Sequence, residues 1–235
     1  MSSSGDRPRP PDAPSPEEGG RVAEPLRLLL VRHARSTWNE LHRIQGQLDP
    51  PLSEAGLDQA GKLGERLHHR SGWRPAGFYC SDLMRCRQTA EALGAAIGMQ
   101  PEYMPELREI ALGEWEGLTR EDLMTRYPAL WARWVSHPDW DLVPGGELAA
   151  DFEDRVSSAL EGIRARHESG DVLIVTHGGV IQVALGRALG WPGSRGAFPF
   201  RIQNTSLNVL EIGTRRAVIS RVNDTAHLDD DPIPT

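Results

Sequence analysis

The stretch Leu28-Leu29-Leu30-Val31-Arg32-His33-Ala34-Arg35-Ser36-Thr37-Trp38-Asn39 decides the fold. A run of branched apolar residues ends abruptly in a cation and an imidazole, then in small polar residues. Such a run reads as a strand buried on both faces of a sheet, spanning about 26–32. Open α/β sheets bind ligands at strand ends, in the crevice opened by the following loop. Arg32 and His33 therefore stand where a buried scaffold aims a cation and an imidazole at one point. A second run, Asp171-Val172-Leu173-Ile174-Val175-Thr176, has the same character and also ends in histidine, His177-Gly178-Gly179. If the two strands are parallel neighbours, both imidazoles enter one crevice.

Between and around these strands the pattern alternates. Ser53 is a good N-cap for a helix whose Leu57, Ala60, Leu63, Gly64 and Leu67 recur at helical spacing. Gly77 to Cys80 is a short strand, followed by a helix from about Leu83 to Ile97 that Gly98 stops. Pro101 to Met104 is a further short strand, and Glu106 to Gly117 a loop over the sheet edge. Thr119 caps a helix through Tyr127, and Pro128 suits the first position of another. Trp131, Trp134 and Trp140 read as packing residues. The segment 148–168 is the clearest amphipathic helix, with Leu148, Phe152, Val156, Leu160 and Ile163 on one face. A helix then runs to about Leu189, and Ser206–Ile212 and Ala217–Val222 are strands. The expected fold is α/β, a three-layer α/β/α sandwich with a mostly parallel central sheet.

The chain has 235 residues, enough for one domain with a sizeable core and no metal or disulfide staples. Residues 1–25, rich in Pro, Ser, Gly and acids, read as a disordered tail; 26–223 as a single domain; 224–235 as an acidic tail. The net charge of −7 sits mostly in those tails. The nearly neutral remainder carries no basic stripe, which argues against nucleic acid. No run is long enough to span a membrane and the N-terminus lacks a signal-peptide core. Cys80 and Cys86, the two cysteines, match no zinc pattern and read as free thiols. The expectation is a cytoplasmic protein without metal or other cofactor; monomer and homodimer both stay open.

A cation from a third segment joins the two histidines. Arg85 lies in the first turn of the helix after Ser81, where helix N-termini attract anions. Arginines suit a dianion such as a phosphoryl group because their planar fork bonds two oxygens at once. Here the chain resembles a known family, the histidine phosphatase superfamily, also called phosphoglycerate-mutase-like. Arg32-His33-x-x-Ser36-x-x-Asn39 resembles its signature. Leu52-Ser53-x-x-Gly56-x-x-Gln59-Ala60 and Ser81-Asp82-Leu83-x-Arg85-x-x-Gln88-Thr89-Ala90 resemble its next blocks. Leu107-Arg108-Glu109 with Gly113-x-Trp115-Glu116-Gly117 resembles the acid-bearing block, and Thr176-His177-Gly178-Gly179 the last. Singly these are weak; five in order, over about residues 27–225, are specific.

The resemblance implies a metal-independent phosphomonoester hydrolase of the broad phosphatase branch, acting on a small phosphorylated substrate. His33 would be the nucleophile, forming phosphohistidine. Arg32, Arg85 and His177 would hold the phosphoryl oxygens, and Ser36, Asn39, Gln45, Gly46 and Gly178 would complete the phosphate site. Glu109 would protonate the leaving oxygen and then activate water; Glu106, Glu114 and Glu116 are its sequence neighbours and rivals. Two alternatives stand beside hydrolysis: mutase-type phosphoryl transfer, and binding of phosphate esters without turnover. The compact region after Gly117 favours the phosphatase. One departure is Ala34, where the family usually has glycine; it places a methyl group near the expected pocket. Arg35 either faces solvent or meets a second anionic group of the substrate.

Overall fold

The computed structural model describes residues 24–69, 73–191, 201–213 and 216–228. The tail expected over residues 1–25 therefore lies outside the described residues except for its last two. The same holds for 229–235 of the acidic tail.

Six strands form one sheet: β1 (Leu26–Arg32), β2 (Gly77–Cys80), β3 (Glu102–Tyr103), β4 (Gly170–Thr176), β5 (Leu207–Ile212) and β6 (Ala217–Asp224). Their order is β3-β2-β4-β1-β5-β6. The pairs β2–β3, β2–β4 and β1–β4 are parallel, while β5 runs antiparallel to both its neighbours. The sheet is thus mostly parallel, with one reversed strand. The described helices are α1 (Thr37–Glu40), α2 (Glu54–His68), α3 (Met84–Ile97), α4 (Arg120–Arg126), α5 (Pro128–Ser136), α6 (Ala149–Ala165) and α7 (Gly178–Ala188).

The apolar runs 28–31 of β1 and 172–175 of β4 follow from the strands' central position. Alternate residues of a strand face opposite sides. Leu29, Val31, Leu173 and Val175 pack with Leu63, Leu67, Leu93 and Ile97 of α2 and α3. Leu28, Leu30, Val172 and Ile174 pack on the other side with Phe152, Val156 and Ile163 of α6 and Val180 and Ile181 of α7. That gives the three layers. The segment 107–143 extends the second layer, where Trp115 stacks edge-on against Trp131 and Trp134, and Trp134 meets Trp140.

Helix ends follow their local chemistry. The Ser53 hydroxyl accepts from the Gly56 amide to cap α2, Thr119 and Asp122 form a reciprocal box on α4, and Gly98 ends α3 at φ 68°. The helix expected over 148–168 is shorter, Ala149–Ala165.

The domain runs past its expected end at 223. Asp224 closes β6, and its carboxylate takes two hydrogen bonds from Arg66 at 2.9 and 2.7 Å. A 3-10 turn at Ala226–Leu228 then packs against α2. Asp224 is therefore a structural ion-pair partner, not the first residue of a solvated acidic tail.

Candidate active site

Parallel pairing with Arg32 opposite Thr176 brings the next residues, His33 and His177, to one sheet edge, with ring centroids 5.3 Å apart. The His33 amide donates to the Thr176 carbonyl at 2.8 Å, which ties the two strand ends together. Both imidazoles are buried.

His33 is fixed in one tautomer. Its Nδ1 lies 2.8 Å from the Ala34 carbonyl, which only accepts, so Nδ1 carries the proton. That leaves the Nε2 lone pair for the cavity that His33 lines. Burial, then the charges of Arg85 and Arg32, push the His33 imidazole well below its ordinary titration range. It is therefore neutral, as a nucleophile must be. Its backbone is clamped by a distant segment: Asn204 Nδ2 donates to the His33 carbonyl at 2.9 Å and the Thr205 amide to the Arg32 carbonyl at 3.0 Å. Thr205 sits at φ 56°, a conformation β-branched residues avoid, and His227 Nε2 lies 2.9 Å from its hydroxyl.

Two guanidinium groups flank the nucleophile. Arg32 donates through Nη1 to the Ile202 carbonyl at 2.5 Å, and its buried Nε has no partner among the described residues. Arg85, fully buried, donates to the Leu48 and Gly46 carbonyls at 2.7 Å each, and its Nε is likewise without a partner there. Both are desolvated cations positioned by backbone carbonyls. Gly46 must be glycine: its φ is 49°, and a Cβ would stand 2.0 Å from Glu116 Oε1.

The acid-bearing block resolves its four glutamates. Only Glu109 among them lines the cavity. Its Oε2 accepts from the Gly179 amide at the start of α7, 3.1 Å away, and its Oε1 from the Ile110 amide. Glu116 Oε1 instead accepts from the Gln47 and Leu112 amides, stitching the 45–47 loop to the block. Glu114 accepts from the Tyr127 hydroxyl, and Glu106 is exposed. Arg155 holds the block from outside: it pairs with Glu147 at 2.7 Å and donates to the Glu106 and Arg108 carbonyls.

The cavity has a volume of about 340 Å³. Arg32, His33, Asn39, Gln45, Gly46, Arg85, Glu109 and Gly178 of the expected set all line it. Ser36 and His177 do not; they are fully buried behind its wall. Ser36 caps α1, and its backbone amide and hydroxyl donate to Asn39 Oδ1 and Gln45 Oε1 respectively, at 3.0 and 2.8 Å. Both amide groups are thus oriented through their oxygens. His177 Nε2 lies 2.8 Å from the Ser81 hydroxyl and 3.3 Å from Cys86 Sγ.

Ala34 departs from expectation. It is fully buried in a small cluster with Leu52 and Ala60, its φ is not positive, and it does not line the cavity. An L-residue fits because its methyl group turns away from the site. Arg35 is exposed, outside the phosphoryl cavity. The cavity also takes in Arg43, Ile44, Ile110, Leu112, Trp140, Gln182 and Ile202. Gln182 follows the His177-Gly178-Gly179 block by about one helical turn, a spacing that would have flagged it. Ile202 and Asn204 carry no such signal, because they arrive from a separate segment.

Comparison with known proteins agrees with this geometry. The chain is 36% identical over 203 residues to phosphoserine phosphatase 1 of Hydrogenobacter thermophilus, covering 86% of this chain and 94% of that one. It is 34% identical over 209 residues to a metal-independent phosphoserine phosphatase of Arabidopsis thaliana, covering 88% and 84%. Its fold matches that of Bacillus stearothermophilus YhfR with a TM-score of 0.78 at 30% identity, over 87% of this chain and all of the other. Residues 28–225 match the family model of the histidine phosphatase superfamily, branch 1, and the chain belongs to that family.

Proposed function

We propose that this protein hydrolyses a small phosphomonoester through a phosphohistidine at His33. The observation that carries the reading is the fixed His33 tautomer, which turns Nε2 to a cavity walled by Arg32, Arg85 and Glu109. In the first step Nε2 attacks phosphorus and the ester P–O bond breaks; the protonated Glu109 carboxyl gives its proton to the leaving oxygen. In the second step the Glu109 carboxylate takes a proton from water, the water oxygen attacks phosphorus, and the N–P bond breaks to release inorganic phosphate. Arg32 and Arg85 hold the phosphoryl oxygens throughout and bind most tightly when charge on them is greatest. The NH2 groups of Asn39 and Gln45 and the Gly178 amide add hydrogen bonds. His177, packed against His33, supports the phosphoryl site from below.

Phosphomonoester hydrolysis is also the activity named for the similar phosphatases, two of which act on phosphoserine by name. Phosphoserine is therefore the first substrate to assay. The free, buried thiols of Cys80 and Cys86 support a reducing, cytoplasmic setting. Trapping with 32P-labelled ester, with the label mapped at high pH because phosphohistidine is acid-labile, tests the mechanism. The expected label is on His33, and His33→Ala should abolish both label and turnover. Label on Ser36 or Cys86 refutes the nucleophile, and bisphosphate-primed isomerisation of 3-phosphoglycerate faster than its hydrolysis refutes the reaction class.

A further inference from the structure

Beside the phosphoryl cavity lies a second groove, of about 560 Å³. Three guanidinium groups, Arg32, Arg35 and Arg201, line it together with side-chain amides and two apolar residues, and no carboxylate is among them. Elsewhere several arginines are paired with acids: Arg66 with Asp224, Arg108 with Asp82, Arg155 with Glu147, Arg166 with Glu102. The other large grooves contain acids, Glu161 in one and Asp171 with Glu211 in another. The Arg35 and Arg201 side chains are exposed and have no carboxylate partner among the described residues. In a chain of net charge −7, a groove with three arginines and no acid concentrates positive potential in one place.

The groove is continuous with the reaction site. Arg32, Gln182 and Ile202 line both volumes. The ester oxygen must reach the Glu109 carboxyl, which rests on the Gly179 amide. Gln182 lies three residues further along α7, on the same helix face. A leaving group that starts at Glu109 and passes Gln182 enters the groove directly.

We propose that this groove receives a second anionic group carried by the substrate's leaving group, a carboxylate or a second phosphate a few bonds from the ester oxygen. The inference rests on phosphomonoester hydrolysis at His33 and deepens it. Arg35 and Arg201 are then specificity determinants, and Arg32 is shared between the transferred phosphoryl group and the second anion. Guanidinium groups at the mouth of a groove reward charge and bidentate oxygens; a hydroxyl at the same place gains little from them.

Three esters test it on the full-length protein: glycerol 3-phosphate, whose leaving group is neutral; 3-phosphoglycerate, which replaces its terminal alcohol by a carboxylate; and propane-1,3-diol bisphosphate, which supplies a second phosphate. The expected result is a higher kcat/KM for at least one of the anionic pair than for glycerol 3-phosphate, and which one identifies the anion. In Arg35→Gln and Arg201→Gln that ratio should fall about tenfold, the scale of one charge-assisted hydrogen bond, with Arg35→Lys keeping part of it. Equal losses on all three esters, or an unchanged ratio, overturn the inference. The sequence continues Asp229-Asp230-Asp231 after Leu228, which lines the groove. If D229N/D230N/D231N and Arg35→Gln both raise kcat/KM on all three esters alike, the groove serves the chain's own acids and the inference is wrong. The reading beneath it fails separately: wild-type protein that hydrolyses neither these esters nor phosphoserine nor a generic aryl phosphate refutes hydrolysis at His33, and the inference falls with it.

Discussion

Lowering the pH from 7.5 to 5 should remove stability from this protein through His33 and His177. Both imidazoles are buried, His33 at 2% exposure and His177 at 0%. Burial, followed by the charge of Arg85, pushes each well below the ordinary value of 6.5. In the unfolded chain both titrate near that ordinary value. Below it the unfolded state binds two protons that the native state refuses, so stability rises with pH in this window and falls on acidification. Each site contributes RT ln(1 + 10^(6.5 − pH)), about 2 kcal/mol at pH 5, and about 4 kcal/mol for the pair. That is a large part of the roughly 5–15 kcal/mol available to a domain. The Asp82 and Asp224 carboxyls, held down by hydrogen bonds from Arg108 and Arg66, add stability that is lost only as pH falls through the ordinary Asp value of 3.8 and below. Carboxylates therefore leave the window between pH 7.5 and 5 mainly to histidine. His167, also lowered by burial but partly exposed, adds a smaller share. Urea unfolding followed by tryptophan fluorescence, at constant ionic strength and without phosphate, measures the slope. It should approach two protons' worth near pH 5, about 3 kcal/mol per pH unit, and His33→Asn should lower it by about half. A flat profile, or a slope unchanged in both His33→Asn and His177→Asn, refutes the claim that these imidazoles are neutral and buried.

Two substitutions test the placement of the groups around His33. A Cβ at residue 179 would stand 2.3 Å from Glu109 Oε1, so Gly179→Ala must displace the carboxyl from the α7 amide. The expected outcome is a fall in kcat of about 10- to 100-fold with little change in KM, read by steady-state kinetics on a phosphomonoester, with circular dichroism unchanged; an unaltered kcat refutes the role of Glu109. Ala34→Gly removes a buried methyl group and loosens the unfolded chain. It should cost about 1–2 kcal/mol in urea unfolding and leave kcat within about twofold, whereas a gain in stability would show that Ala34 is strained.

The layered fold is readable from the sequence because residues 28–31 of β1 and 172–175 of β4 are apolar at every position, a pattern that burial on both faces explains. The direction of β5 is not readable. Leu207 to Ile212 has the same apolar character whether it pairs parallel or antiparallel, and the connection before it runs through residues whose pattern signals neither. The site divides in the same way. Arg32, His33, Arg85 and Gly178 announce themselves because each adjoins a strand end, a helix start or a dense motif. Choosing Glu109 over Glu106, Glu114 and Glu116 needs three dimensions, since the deciding feature is the Gly179 amide seventy residues away. Ser36 shows the opposite difficulty. Its place in the motif suggests contact with phosphate, yet its hydroxyl is spent on capping α1 and orienting Gln45. Ser and Asn compete for backbone groups wherever they occur, and spacing alone does not say whether a ligand or the chain wins.

The electrostatics of the site join two requirements that pull against each other in most settings. A phosphate dianion needs cations nearby, and an attacking imidazole needs to be unprotonated. Here the same cations serve both ends. Arg85 and Arg32 lower the proton affinity of His33, on top of the larger effect of burial, and they also face the cavity the dianion would enter. Among the described residues neither charge is paired with a carboxylate: Arg32 and Arg85 are held by the carbonyls of Ile202, Leu48 and Gly46. Carbonyls position a guanidinium without cancelling it, so the full charge remains for the ligand. An acid in their place would bring the protein more stability before binding, raise the His33 proton affinity and weaken the hold on phosphate. The carboxyl group that shares their cavity, Glu109, is held instead by the Gly179 and Ile110 amides. The glycine at 179 is thus more than a helix start. It holds the carboxyl group of the cavity where it can exchange a proton with the leaving oxygen and leave the two cations to the phosphoryl group.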